Sequence, residues 1–310
     1  MIYVNRNKVD PPRVLVIEGG LGYQETQKVI AHFSNPVTAK LPFKDFLAYK
    51  NEEVKNLLFI IFNQKCAYCE TRFAAAYTGD IDHFRPKGKV VEKLPGKKKG
   101  TNINKVLSKN GYYWMAAKWD NLVLSCKDCN SARRHKLPDN SEIVIGKQEQ
   151  FPLIDETYRI KQPDVGELES EESARLIVNP CTEDPEKFFE YDEGMGVIKE
   201  RQGLTDKALL KARKSIDVYA LHRSELCDER KRMTNAILER IESCDSILQL
   251  YNRLSSIDQD RPENKQMIQN ERNKLVQLVQ SDQMYAGLAR QIIGKYFKLK
   301  FNLDIRDFIK

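Results

Sequence analysis

The chain has 310 residues, of which 41% are hydrophobic and 31% charged, and its formal net charge is +7. This composition supports a sizeable core and excludes a disordered tail, and the absence of any run of eighteen apolar residues excludes a membrane-spanning helix. Seven cysteines, with no apolar export core in the opening Met1 to Arg13, point to a cytoplasmic chain and away from a disulfide framework.

Residues 1–65 read as an N-terminal segment with one amphipathic helix over Lys40 to Phe62, where Phe43, Phe46, Leu47, Val54, Leu57, Leu58 and Ile61 recur at helical spacing. Residues 66–140 change character and hold four of the seven cysteines, both tryptophans and two of the four histidines. Strand-like runs cover Asp80 to Phe84 and Asn121 to Leu124. Between them, Gly88 to Gly111 is expected to be a poorly ordered loop. It carries most of a basic cluster, Arg85, Lys87, Lys89, Lys93, Lys97, Lys98, Lys99, Lys105 and Lys109, set against Glu92 alone. Alone such a run is a solvated loop; beside a reactive motif it becomes a phosphate contact.

Residues 141–204 are irregular and punctuated by Pro152, Pro163, Pro180 and Pro185, with an acidic surface turn from Asp164 to Glu172. Residues 205–310 are helical in character, with a break near Asp258 to Pro262. A cut near residue 204 is expected to leave the preceding module folded.

Cys66-Ala67-Tyr68-Cys69 and Cys126-Lys127-Asp128-Cys129 are two CxxC pairs, and each pair brings two thiolates within reach of one tetrahedral ion. Four sulfur ligands with no open position suit a structural zinc. Two unrelated pairs, one of them redox-active, would need a βαβ context that is not visible. Cys181, Cys227 and Cys244 lack paired spacing and read as buried thiols.

Between the pairs run Gly79-Asp80-Ile81-Asp82-His83-Phe84-Arg85-Pro86-Lys87 and then Trp119-Asp120-Asn121-Leu122, with Asn130 directly after the last cysteine. An Asp-His pair, an Asn-Leu and a closing CxxC-Asn, in that order, resemble the HNH nuclease motif. The resemblance implies an α+β chain: a ββα-metal HNH core with the four-cysteine zinc, an N-terminal helical segment and a mainly helical C-terminal region. His83 would be the general base, since imidazole accepts a proton near neutral pH. Asp82 and Asn130 would offer hard oxygens to one Mg²⁺ or Mn²⁺. Asn121 would bond backbone near His83 and orient the loop. Arg85 and Lys87, which follow the base, and Arg133 and Arg134, expected to begin the motif helix, are candidate phosphate contacts. His135 reads as a surface residue or an alternative ligand, Asp80 as a surface acid, Trp114 and Trp119 as core, and His32 and His222 as ordinary residues.

Lys65-Cys66-Ala67-Tyr68-Cys69-Glu70, Asp82 to Lys87, Tyr112-Tyr113-Trp114, Asn179 to Lys187 and Leu221-His222-Arg223 extend the likeness over roughly residues 1 to 230. Together they resemble the HNH proteins of Septu anti-phage systems and certain retrons. That implies an endonuclease acting on DNA or RNA, gated by an ABC-type ATPase; the chain has no phosphate-binding loop of its own. The helices after Thr205 are the expected docking surface. The alternatives are a stand-alone HNH restriction or homing-type endonuclease, which should carry a sequence-reading module, and a non-catalytic zinc module that binds nucleic acid, which has no use for a base beside metal ligands.

Overall fold

The computed structural model describes residues 1–73, 77–95, 102–163, 166 and 168–309. One turn of helix, α1 (Arg13–Val16), leads into α2 (Leu21–Ser34), a helix that the sequence reading passed over. The next helix, α3 (Glu52–Ile61), is shorter than expected and begins twelve residues later than Lys40. Two caps account for this. The Asn51 side chain accepts from Glu53 N, and Glu52 and Glu53 occupy the first turn, where they favour the helix dipole. Upstream, one carboxylate oxygen of Glu25 on α2 accepts from Leu47 N at 2.6 Å and Ala48 N at 2.7 Å. Those amides are therefore satisfied outside a helix. Val54, Leu58 and Ile61 form the buried face of α3.

Strand β1 (Asp80–His83) is followed by a hairpin of β2 (Val90–Pro95) and β3 (Asn102–Ser108). The stretch expected to be a disordered loop is thus largely paired strand, with Val90 and Val91 buried. Its β-branched residues Val90, Val91, Ile103 and Val106 favour that state. Lys97, Lys98 and Lys99, expected in the same basic cluster, lie outside the described residues, as do Asp164, Val165 and Glu167 of the acidic turn. Leu168 to Glu172 of that turn enter a helix, α5 (Leu168–Ala174).

Strand β4 (Leu122–Ser125) pairs antiparallel with β1, in the register Asp82↔Val123 and His83↔Leu122. A single helical turn, α4 (Lys127–Asn130), follows directly. The helix therefore ends at Asn130, before Arg133 and Arg134, which were expected to begin it. Ser131 is extended (ψ 146°), and β5 (Arg133–Lys136) then forms a hairpin with β6 (Glu142–Ile145). The tight connection explains the switch: Leu137 N donates to Ser141 O, and Asn140 adopts φ 63°, a conformation asparagine tolerates.

The connecting region contains α5 (Leu168–Ala174) and a small hairpin of β7 (Phe189–Tyr191) and β8 (Ile198–Glu200). The helices expected after Thr205 are present: α6 (Asp206–Val218), α7 (Ser224–Asn252), a short α8 (Ser256–Gln259), α9 (Pro262–Leu278) and α10 (Ala286–Phe301). None among the described residues is long and apolar enough to cross a membrane.

These helices share the core of the cysteine-rich region. Tyr219 stacks on Tyr68 at 3.9 Å, and Lys65 Nζ donates to Ser281 O and Gln283 O. One buried cluster contains Leu58, Cys66, Leu124, Ile177, Tyr219 and Leu288 together. A cut near residue 204 would open that core, contrary to the expectation that the preceding module survives it.

Candidate active site and metal centre

The first cysteine pair follows α3 in a tight turn. Glu70 N donates to Cys66 O with Glu70 at φ 66°, and Ala67 N donates to Leu124 O, which ties the turn to β4. The second pair begins where β4 ends and closes within α4. The result is four buried cysteines whose sulfurs all lie within 4.8 Å of one another. Burial pushes the Cys66 and Cys129 thiols well up, while hydrogen bonds from the other three sulfurs hold Cys69 down. Four thiolates in this space need a cation. Arg223, at the start of α7, brings its guanidinium to 3.6 Å from Cys129 Sγ and 4.0 Å from Cys126 Sγ. One guanidinium leaves most of that charge unmatched. The soft, closed, four-sulfur set fits a tetrahedral zinc.

At the other end of the β1–β4 pair, Asn121 does what its position in the motif suggested. Its carbonyl accepts from Arg85 N at 2.7 Å, and its amide donates to Arg85 O at 2.9 Å and Met115 O at 3.1 Å. Phe84 N also donates to Asn121 O. This clamp fixes the chain just beyond His83.

His83 is 5% exposed. Its Nε2 lies 3.0 Å from Ala116 O, which can only accept, so Nε2 carries the hydrogen. Nδ1 is left with its lone pair, 3.4 Å from Lys87 Nζ. Burial, and then the Lys87 charge, hold the imidazole well below its usual pKa, so it stays neutral with Nδ1 as the basic atom. The ring of Tyr49 meets it edge-on at 4.6 Å, and Lys87 Nζ sits 4.5 Å above the same Tyr49 ring.

Asp82 is 5% exposed, and both of its oxygens have partners. The Tyr68 hydroxyl donates to Oδ2 at 2.7 Å, and Lys147 Nζ donates to Oδ1 at 3.1 Å and to His83 O at 2.7 Å. Asn130 is joined to the same group through the backbone: Lys147 N donates to Cys129 O, and Gln148 N to Asn130 O. The structure brings Asp82 and His83 to the segment that also bonds the Asn130 backbone, while Asn121 clamps the chain just beyond the end of β1. It does not present Asp82 and Asn130 as an open donor pair, and as arranged they do not fit Mg²⁺ or Mn²⁺, because the buried Lys147 ammonium already pairs with Asp82.

The expected phosphate contacts separate. Arg85 is buried, with Nε on Glu171 at 2.9 Å, Nη2 on Glu172 at 2.5 Å and the guanidinium 5.0 Å over Phe151. Two carboxylates already match its charge, which corrects the expectation of a free phosphate contact. Lys87 is half-buried beside His83. Arg133 and Arg134 are exposed on a strand, not on the motif helix, and pair with Asp128 at 2.8 Å and Glu142 at 3.0 Å. His135, expected at the surface, is buried, and its Nε2 has no partner. Trp119 is core, with Arg6 stacked on it at 4.5 Å; Trp114 is half-buried. Cys181, Cys227 and Cys244 are buried free thiols, as expected.

Sequence reasoning missed Tyr68, Tyr49 and Lys147. Tyr68 lies inside a CxxC pair, where a large aromatic side chain is a weak signal of a partner. Lys147 lies 65 residues from Asp82, with no motif around it.

No family model matches the chain. Over 210 residues it is 38% identical to the Septu protein PtuB of Bacillus mycoides strain KBAB4, across 67% of this chain and 59% of that protein. Over 236 residues it is 23% identical to the Septu protein PtuA of the same organism, across 76% of this chain and 26% of that protein. The chain thus spans less than two thirds of the length of each of these curated relatives. The likeness to PtuB supports membership of the Septu family.

Proposed function

We propose that this chain is an HNH endonuclease that hydrolyses phosphodiester bonds of nucleic acid, and that it serves as the effector of a Septu-type anti-phage system beside an ABC-type ATPase. One observation carries the reading. A neutral histidine, His83, is held at the end of a strand in a single tautomer, next to Asp82 and inside the Asn121 clamp. A general base needs a ring nitrogen without a proton, and this tautomer leaves Nδ1 in that state beside Lys87.

The residues divide the work. His83 Nδ1 takes a proton from water as the water oxygen attacks phosphorus. The P–O3′ bond breaks, and the departing oxygen collects a proton from solvent. The Ala116 carbonyl holds the ring in the productive tautomer throughout. Lys87, beside Nδ1, places positive charge where a phosphate would approach and opposes protonation of the imidazole before the reaction. The Asn121 clamp keeps the strand end from shifting. The cysteine cluster, with zinc bound, braces β1 against α4 and supplies no reacting group.

The defence role and the ATPase rest on the likeness to Septu proteins and on the lack of a phosphate-binding loop in this chain. The reading is tested by cleavage of duplex and single-stranded DNA and RNA, with and without the ATPase component. His83→Ala should lower the cleavage rate by about 10²- to 10⁴-fold with zinc content unchanged. Cleavage by His83→Ala at the wild-type rate would overturn the reading.

A further inference from the structure

A cation already stands at Asp82, and it belongs to the protein. Lys147 has a side chain that is 0% exposed, and its ammonium bridges Asp82 Oδ1 and His83 O. The backbone that delivers it is held firmly. Lys147 N donates to Cys129 O at 2.8 Å, so the segment lies across the turn that carries Asn130. Gly146 makes that approach feasible: it adopts φ 137°, and a β-carbon there would sit 2.0 Å from Ser131 O. Gln148, two residues on, has φ 44°, also in the left-handed region. A non-glycine residue persists there only when its surroundings impose it.

We infer that Lys147 is the resident cation of the Asp82 site, and that a divalent ion at Asp82 requires the 146–148 segment to withdraw it. This rests on the nuclease reading above and specifies how that site would be loaded. Asp82 Oδ1 cannot hold an ammonium and a divalent ion together, because two like charges on one buried oxygen repel strongly at low local dielectric. Oδ2 accepts from the Tyr68 hydroxyl, and a divalent ion placed there would still stand beside the Lys147 ammonium on the same carboxylate. Withdrawal breaks the hydrogen bonds of Lys147 N and Gln148 N and those that Gly146 O accepts from Lys93 Nζ and Gln150 Nε2, and it relieves the left-handed conformation of Gln148. The closed arrangement keeps the site free of divalent metal until something opens it, as suits an enzyme whose unregulated activity would damage its own cell.

The test uses the full-length, zinc-loaded chain and Mn²⁺ alone as probe. Reductive methylation read by mass spectrometry should find Lys147 protected without Mn²⁺ and modified at saturating Mn²⁺. Titration calorimetry should show Lys147→Met binding Mn²⁺ about tenfold more tightly or better, as expected for removing a neighbouring like charge. Adding Asp82→Asn to Lys147→Met should abolish that gain. If Lys147→Met does not fold, Gly146→Ala displaces the same segment without removing the charge and should show the same gain in affinity and labelling. Asp82-dependent Mn²⁺ binding with Lys147 still protected, or with affinity unchanged in the variants, overturns the inference and leaves the nuclease reading standing. No Asp82-dependent Mn²⁺ binding in any of these proteins, together with no cleavage, overturns both.

Discussion

At the Cys126 end of the β1–β4 pair, four sulfurs crowd within 4.8 Å of one another, with the Arg223 guanidinium within 4.0 Å of Cys126 and Cys129. At the Asn121 end, one carboxylate meets a tyrosine hydroxyl and a buried ammonium, and one imidazole has both ring nitrogens engaged. Both ends are buried and both consist of residues that can bind metal. They differ in charge balance. The cysteine end, once its thiols ionise, has more negative charge than its surroundings match, so it is compatible with a bound metal ion. The Asp82 end is balanced by the chain's own donors and is stable without one. Metal-binding residue types alone do not make a metal site; an unmet charge or an open coordination position is also required.

The contrast can be broken most forcefully at the cysteine end. Cys126→Ser should lose zinc and unfold the region around β4, because structural zinc is worth on the order of 10 kcal/mol of apparent binding energy. Zinc content and thermal unfolding by circular dichroism report it. An unchanged melting temperature in a zinc-free variant would mean that this end, too, is balanced without metal.

A smaller effect is expected from Asn121→Ala. It strands Arg85 N, Arg85 O and Met115 O in a buried setting, and three such groups should cost about 3 kcal/mol in urea unfolding. The zinc should stay bound. Zinc loss in step with unfolding would show that the two ends are one cooperative unit, not two separately balanced ones.

The mildest test uses pH. His135 stands beside Arg223, and burial, then the Arg223 charge, hold its imidazole below the usual 6.5. It therefore adds no positive charge to the cysteine end. As the pH falls below about 6.5 the unfolded chain takes up this proton before the folded one does, so the contribution of His135 is complete above that pH and is lost toward the folded-state value. His135→Gln should flatten the acid side of the stability profile. An unchanged profile would mean that His135 titrates alike in the folded and unfolded chains, so that its burial beside Arg223 opposes no proton.

Local pattern determined a good part of this protein. The CxxC spacing located the four sulfurs, and the strand-like runs located β1 and β4 with Asp82 and His83 on β1. The helices after Thr205 were legible from periodicity. Each of these features depends on neighbours a few residues apart. Tertiary structure decided the rest. Whether Arg85 meets a phosphate or Glu171 and Glu172, whether His135 is exposed, where α3 begins once Glu25 has taken the amides of Leu47 and Ala48, and whether Asp82 is open or filled by Lys147 all turn on partners at least 22 residues away. Burial and charge pairing are set by which distant groups meet in space, and a pattern read along the chain carries no record of those meetings.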